Sequence, residues 1–442
     1  MNGRPDRRRT IDAPRLLAFD ALRAVHSQGA YANLVTAELL AQAGFEPRDA
    51  AFATELVSGT SRLEGTYDRV IEAASGRSLS TLQPAVVDVL RMACHQVLSM
   101  RTPIHAAVAS SVDLAGVAIN ERVTGVVNAI VRKVGARAMD EWLDLLTVGM
   151  GERGALAVRG HHPRWIVDAF ADVLPEAELA AALDANNVNP VPTLVVRPGL
   201  ATVDELAGEP TRWSPYGAMR PGNPSDLSAI RQGRAGVQDE GSQLVALALA
   251  RVDAPDLPWL DLCAGPGGKA ALLAGLARDK GTWLLASESQ EHRARLVAKA
   301  LARYRTGYQV ITADGTRPAW ASATFGRVMA DVPCTGLGAL RRRPESRWRR
   351  EASDLDELVP LQQALLRSAI ESVAPGGVVA YVTCSPHRRE TSEVVESVDG
   401  VEVLDAPSFL PEVPDAARGP YVQLWPHRHQ TDAMFLALLR RV

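Results

Sequence analysis

A chain of 442 residues exceeds what one hydrophobic core usually organises, so two or three domains are expected. Its 47% apolar and 22% charged residues are ordinary for a globular protein. No apolar run is long enough to span a bilayer, and the basic start MNGRPDRRRTIDAPR has no signal-like apolar stretch behind it, which reads as a cytoplasmic chain without a membrane partner. Four scattered cysteines (Cys94, Cys263, Cys334, Cys384), none in a CxxC pair, argue against a disulfide framework or a metal site, and a net charge of −3 does not announce a nucleic-acid binder, although totals hide local patches.

Residues 1–145 read as all-helical. Pro14 suits the first turn of a helix, with Leu16, Phe19, Leu22 and Val25 following at helical spacing. Val86, Leu90, Ala93 and Val97 make one face of another helix, and Cys94 inside that pattern reads as a buried structural thiol. HAAVASSVDLA (105–115) and GVVNAIVRKV (125–134) complete a helical bundle. Residues 150–235 are richer in proline and glycine, as in NPVPTLVVRPG and SPYGAMRPGNP, and predict a small α+β connecting subdomain of short helices with one or two strands.

From about 245 strands alternate with helices: PWLDLC (258–263), TWLLASE (282–288), YQVITAD (308–314), GRVMADV (326–332), GGVVAYVT (376–383) and TDAMFLALLRR (431–441), with a helix beginning near Pro360. Such alternation predicts a mostly parallel sheet covered by helices on both faces, a third domain over 236–442.

Ligands of such sheets lie beyond the carboxyl ends of the strands. The first strand runs into Asp261 and then Cys263, Ala264, Gly265, Pro266, Gly267, Gly268 and Lys269, a glycine turn before a helix. It is not a phosphate loop, because the spacing is wrong and Ala270 stands where Ser or Thr is needed. Glu288, about 20 residues on, can accept from ribose hydroxyls, and Asp314 and Asp331 end the next two strands. Three carboxylates around a glycine turn suit a nucleoside with a cationic amino-acid end, which points to S-adenosylmethionine.

Cys334 follows the fourth strand and Cys384 ends the fifth, so both face one crevice, with Lys269, Arg388 and Arg389 near enough to favour a thiolate. His387 reads as a loop residue. A disulfide is disfavoured by compartment, but the residues alone leave open whether the thiols are inert or reactive, and which would attack. RRRPESRWRR (341–350), with six arginines, follows the Cys334 loop; a solvated surface is its ordinary reading, and its position favours RNA contact through Arg341, Arg342, Arg343 and Arg347.

DLCAGPGGK, ADVPCTGLGALRRRPESRW and YVTCSP together resemble the RNA cytosine-C5 methyltransferases of the RsmB/NOP class. The resemblance extends to VQDEGSQLVAL (237–247) and LWPHRHQTDAMF (424–435) and covers the C-terminal half, while NNVNPVPTLVVRP (186–198) is similar to the small subdomain before the catalytic one. The first 140 residues resemble NusB, down to VNAIVRKV, and this fusion is the arrangement of the RsmB (Sun, Fmu) type that acts on 16S rRNA. The resemblance implies an RNA-binding helical domain and a Rossmann-like catalytic domain with a seven-stranded, mostly parallel sheet. It implies S-adenosylmethionine held by residues 263–269, Glu288, Asp314 and Asp331, no metal, and a monomer. It also implies that Cys384 attacks carbon 6 of the base, that Cys334 assists release, and that Asp331 holds the cytosine edge or lies against the cofactor. The chain departs from the family at Glu288 (more often Asp), at Thr335 (commonly Ser) and in DAMF (usually DGFF). Transfer RNA or another RNA is the alternative substrate. A non-catalytic NusB-like assembly factor is a further reading, but it predicts lost cysteines or a broken turn, and both are intact. A DNA methyltransferase is disfavoured, because there the attacking cysteine lies in the PC motif and TCS is absent.

Overall fold

The computed structural model describes residues 9–442; the basic stretch before Arg9 lies outside the described residues. Two compact units emerge: residues 1–168 with 342–350, and residues 169–341 with 351–442.

The first unit is helical: α1 (Ala13–Gln28), α2 (Ala32–Ala43), α3 (Pro47–Arg62), α4 (Glu64–Ser75), α5 (Pro84–Cys94), α6 (Ile104–Ala118), α7 (Thr124–Val134), α8 (Met139–Thr147) and α9 (Glu152–Arg159). Pro14 acts at α1 as anticipated, and Asp12 and Gly29 add caps not anticipated from the sequence. Asp12 accepts the Arg15 N–H (3.0 Å), Pro14 sits in the first turn, and Gly29 ends the helix at φ 69°. Leu22, Val25, Leu90, Ala93 and Cys94 share one core with Ile130 and Val131. Cys94 is fully buried, and burial holds its thiol protonated.

The boundary between the units falls inside α10 (Arg164–Ala171), after Asp168, rather than near 145. Helices continue through α11 (Glu176–Asn186), where the change in composition suggested a separate subdomain. The second unit then forms a four-stranded antiparallel sheet from β1 (Thr193–Val196), β2 (Glu209–Pro210), β3 (Gly217–Met219) and β4 (Ala235–Val237), in the order β2-β3-β1-β4. A single turn, α12 (Ser228–Arg231), precedes β4.

After α13 (Glu240–Arg251) come β5 (Trp259–Asp261), α14 (Gly268–Asp279), β6 (Leu284–Glu288), α15 (Glu291–Leu301), β7 (Tyr308–Thr312) and β8 (Phe325–Asp331). The short α16 (Ser346–Arg349) belongs to the first unit. Then follow α17 (Leu355–Ser372), β9 (Val373–Thr383), α18 (Ser392–Val395), β10 (Val401–Leu404), β11 (Ala417–Arg418), β12 (Tyr421–Gln423), α19 (Pro426–His429) and β13 (Phe435–Arg441). The sheet order is β11-β12-β13-β9-β8-β5-β6-β7, with β10 on β13. Pairs from β7 to β9 are parallel and those involving β10 to β13 antiparallel. The expected seven strands thus run from β12 to β7, and β10 and β11 bring the total to nine. Helix α17 starts at Leu355, with Pro360 inside it. One internal N–H is forgone, and the helix still forms because Leu365, Leu366 and Ala369 bury against the sheet. Among the described residues no helix is long and apolar enough to cross a membrane.

Candidate active site

The chemistry gathers where β5, β6, β8 and β9 end, wholly within the second unit. The turn after β5 closes with the Gly267 N–H donating to the Ala264 carbonyl (2.7 Å). Gly267 caps α14 at φ 109°, and a Cβ there would come within 2.8 Å of Ala300 Cβ, so no other residue fits. Ala264 is buried and Cys263 half-buried; burial, then the charge of Asp261, pushes the Cys263 thiol well up, which removes it as a nucleophile at neutral pH.

Glu288, 3% exposed at the end of β6, accepts the N–H of Gly265 (3.0 Å) and of Gln290 (3.1 Å). Arg293 donates to the Gly265 carbonyl (2.7 Å). Asp314 is exposed and folds back on Thr316, accepting its N–H (2.9 Å) and hydroxyl (2.7 Å), which holds its carboxyl below the usual range. Asp331 meets the Lys269 ammonium at 2.9 Å, and Lys269 also donates to Ser242 (3.3 Å). Burial works to lower the Lys269 pKa, but Asp331 outweighs it and the ammonium stays charged. Asp261, 1% exposed, has neither oxygen in hydrogen-bond geometry with a donor; burial, then the Asp331 charge, pushes its carboxyl up to about 8.

Cys334 Sγ and Cys384 Sγ lie 3.4 Å apart as free thiols. The hydrogen bond between them, burial, and the charges of Cys384, Glu390 and Asp331 all push the Cys334 thiol well up. Cys384 instead shares the field of the Lys269 ammonium. The two thiols thus stand in unequal surroundings, Cys334 beside acidic groups and Cys384 in the field of an ammonium.

Several residues of the site were not singled out individually by the sequence. Glu390 is fully buried and accepts the Thr335 N–H (2.7 Å), the Thr335 hydroxyl (2.5 Å) and the Gln362 amide (3.0 Å). The Gly338 N–H donates to the Cys384 carbonyl (2.8 Å), and a Cβ on Gly338 would lie 2.1 Å from the Ala433 carbonyl oxygen, which accounts for the glycine after CTGL. Gln238, 7% exposed beside Gly268, has both amide atoms buried without a partner.

The arginine run is not the open basic surface anticipated. Arg341 is buried and pairs with Asp239 (2.7 Å) and Asp432 (3.4 Å) in the second unit. Arg347 is fully buried in the first unit and donates to the His161 carbonyl (3.0 Å). Arg343 lies over the Tyr31 ring at 4.7 Å, and Arg349 bonds the carbonyls of Val25 (2.6 Å), Gly29 (3.0 Å) and Ala30 (2.6 Å) at the end of α1. Arg342 is half-buried. Arg341 and Arg347 are internal ties, because buried carboxylates and carbonyls had already claimed their donors.

A glycine turn opening a helix, acceptors at the ends of the next strands and the orphaned Asp261 carboxyl fit a ligand with ribose hydroxyls and an ammonium group. The fold and this site define an S-adenosylmethionine-dependent methyltransferase. Comparison narrows the class. The model for "16S rRNA methyltransferase RsmB/F" matches residues 246–440 and that for the NusB family matches 12–136. A "Putative methyltransferase" of Mycobacterium tuberculosis is 47% identical, with 99% of each chain covered. The "Ribosomal RNA small subunit methyltransferase B" of Erwinia tasmaniensis is 30% identical over 84% of this chain and 86% of its own. The crystal structure of PH0851 superposes with a TM-score of 0.81 at 22% identity, covering 98% of this chain and 100% of its own, a likeness of fold. The chain belongs to the RsmB/F family of RNA cytosine-C5 methyltransferases, with an N-terminal NusB domain.

Proposed function

We propose that this protein methylates carbon 5 of a cytosine in 16S ribosomal RNA, with Cys384 as the covalent nucleophile and Cys334 as the group that assists its release. The observation that carries the reading is the unequal thiol pair, 3.4 Å apart at the ends of β8 and β9. Carbon 5 of cytosine is a weak nucleophile. Addition of the Cys384 thiolate to carbon 6 breaks the 5,6 double bond and moves its electron pair to carbon 5. S-adenosylmethionine would supply the methyl group, and residues 263–269 with Glu288 and Asp314 would hold it. Asp331, tied to Lys269, would hold the polar edge of the base or lie against the cofactor. A solvent water then takes the carbon 5 proton, the electron pair of that C–H bond restores the 5,6 double bond, and the carbon 6–sulfur bond breaks to expel Cys384 as a thiolate. Cys334, kept as a thiol beside it, hydrogen-bonds the departing sulfur and stabilises its charge.

The ribosomal substrate is supported by the NusB region and by relatives named for small-subunit RNA that align along most of the chain. Arg342 and Arg343 remain the members of the arginine run that could reach RNA. The target base has to leave its stack to enter the crevice, and the protein would act in the cytoplasm as a monomer.

Cys334→Ala should accumulate a gel-stable protein–RNA adduct, whereas Cys384→Ala should form none and turn over at least about a thousandfold more slowly. An adduct trapped by Cys384→Ala reverses the two roles. Bisulfite sequencing of ribosomal RNA from a deletion strain should show one 16S cytosine losing protection; an unchanged 16S profile removes the ribosomal substrate.

A further inference from the structure

We propose that Glu390 is the positioning residue of the cysteine pair: its carboxylate latches the Cys334 loop to the segment that follows Cys384 and sets a buried carboxylate beside the pair. The inference rests on Cys384 being the nucleophile.

Glu390 sits in the turn after TCS, in the charged run HRRE, yet it is fully buried. Its Oε1 accepts the Thr335 N–H and the Gln362 amide, and its Oε2 accepts the Thr335 hydroxyl. A shell of three donors suits an acceptor-only carboxylate. Gln362, on α17, also donates to the Pro333 carbonyl (2.9 Å), so the residues on both sides of Cys334 are held. The Thr335 hydroxyl lies 3.2 Å from that of Ser385, the residue after Cys384, and the Tyr381 hydroxyl donates to the Glu390 carbonyl (2.8 Å), binding the turn to β9. Cut this carboxylate and the Cys334 loop loses its ties to both neighbours.

The charge matters as much as the bonds. The titratable groups around the pair and Glu390 are Asp331 on β8, Lys269 on α14, Tyr381 on β9 and His387 at the head of the Glu390 turn, whose imidazole pKa is lowered by burial. Glu390 and Asp331 oppose ionisation of Cys334, while the Lys269 ammonium is coupled to Cys384. Glu390 thus acts through Cys334 and Thr335 and has no need to touch the base.

Two substitutions separate bonds from charge. In Glu390→Gln the amide oxygen can keep the Thr335 N–H and Gln362 bonds, and its NH2 can donate to the Thr335 hydroxyl, which turns its own proton to Ser385. The latch survives and the charge is lost. With RNA substrate and full-length protein, the acid limb of the kcat–pH profile should move down by about one unit, with KM unchanged. In mass-resolved iodoacetamide labelling the share of Cys334 relative to Cys384 should rise several-fold. Glu390→Ala removes both functions, and kcat should fall about 100-fold at every pH with KM little changed.

Wild-type profiles and labelling in folded Glu390→Gln protein overturn the proposal. So does a loss of melting temperature and activity with the profile and labelling pattern intact, which would make Glu390 merely structural. If Glu390→Ala does not fold, the Glu390→Gln profile and labelling decide alone. Failure of the underlying reading shows separately: Cys334→Ala with Glu390 intact would then trap no adduct at Cys384.

Discussion

Gln238 stands beside Gly268 with two buried amide atoms and no partner for either. Its backbone is fully used, the N–H on the Thr193 carbonyl (2.9 Å) and the carbonyl on the Gln243 amide (3.0 Å), so only the side chain is left over. An unbonded buried amide costs about 1–3 kcal/mol, and a position at the head of α14 gives it a use once the cofactor is bound. Gln238→Leu should therefore raise the melting temperature of the ligand-free protein by a few degrees while weakening S-adenosylmethionine binding about tenfold. Thermal melts and calorimetry read the two effects, and unchanged affinity would show that the amide faces no ligand. The part such a side chain plays was illegible in the sequence, although Gln238 lies inside the VQDEGSQLVAL stretch that resembles the family. Glu288, Cys334, Cys384 and Lys269 could be found because the first ends a strand, the two cysteines follow strands, and the lysine follows the glycine turn. Gln238 and Glu390 sit in ordinary polar runs, and their roles come from burial that periodicity cannot report.

Among the elements, the six strands read from the sequence lie within a few residues of β5 to β9 and β13, because short apolar runs bounded by glycine and acidic residues admit little else, whereas the short β10, β11 and β12 gave no such run. The arginine run was misleading for a physical reason: guanidinium groups serve helix-end carbonyls and buried carboxylates as well as phosphates, and nothing local distinguishes these partners. The bundle holds a second charge network of this hidden sort. His26 on α1 bonds Asp88 on α5 (2.6 Å) and Glu64 on α4 (3.2 Å). Burial alone would lower its pKa, but those carboxylates outweigh burial and raise it to about 9. An unfolded histidine titrates near 6.5, so this group's contribution is complete below that value and fades as pH climbs toward 9. The melting temperature of the wild type should fall from pH 6.5 to 9.5 more steeply than that of His26→Gln. Parallel slopes would identify some other group as the one titrating.

At the scale of the whole chain, the helical unit is not continuous in sequence: residues 342–350 complete it, leaving from and returning to the catalytic unit between the Cys334 loop and α17. A division into 1–145, 150–235 and 236–442 follows composition, which a nine-residue return barely alters. Its seat in the first unit is specific. The Trp348 indole N–H donates to the Arg62 carbonyl (3.2 Å), and a Cβ on Gly65 of α4 would come within 2.3 Å of the Trp348 ring. Helix propensity and packing here predict opposite signs. Taken alone, Gly65→Ala should stabilise α4 by up to about 1 kcal/mol; with Trp348 in place it should instead destabilise by about 1–3 kcal/mol. In a Trp348→Ala background the obstruction is gone, and the same Gly65→Ala change should turn stabilising. A double-mutant cycle of denaturant unfolding measures the reversal, with a coupling of about 1–3 kcal/mol expected for residues in contact. Additive effects would mean that the tryptophan does not occupy this seat, and that the helical unit closes without residues 342–350.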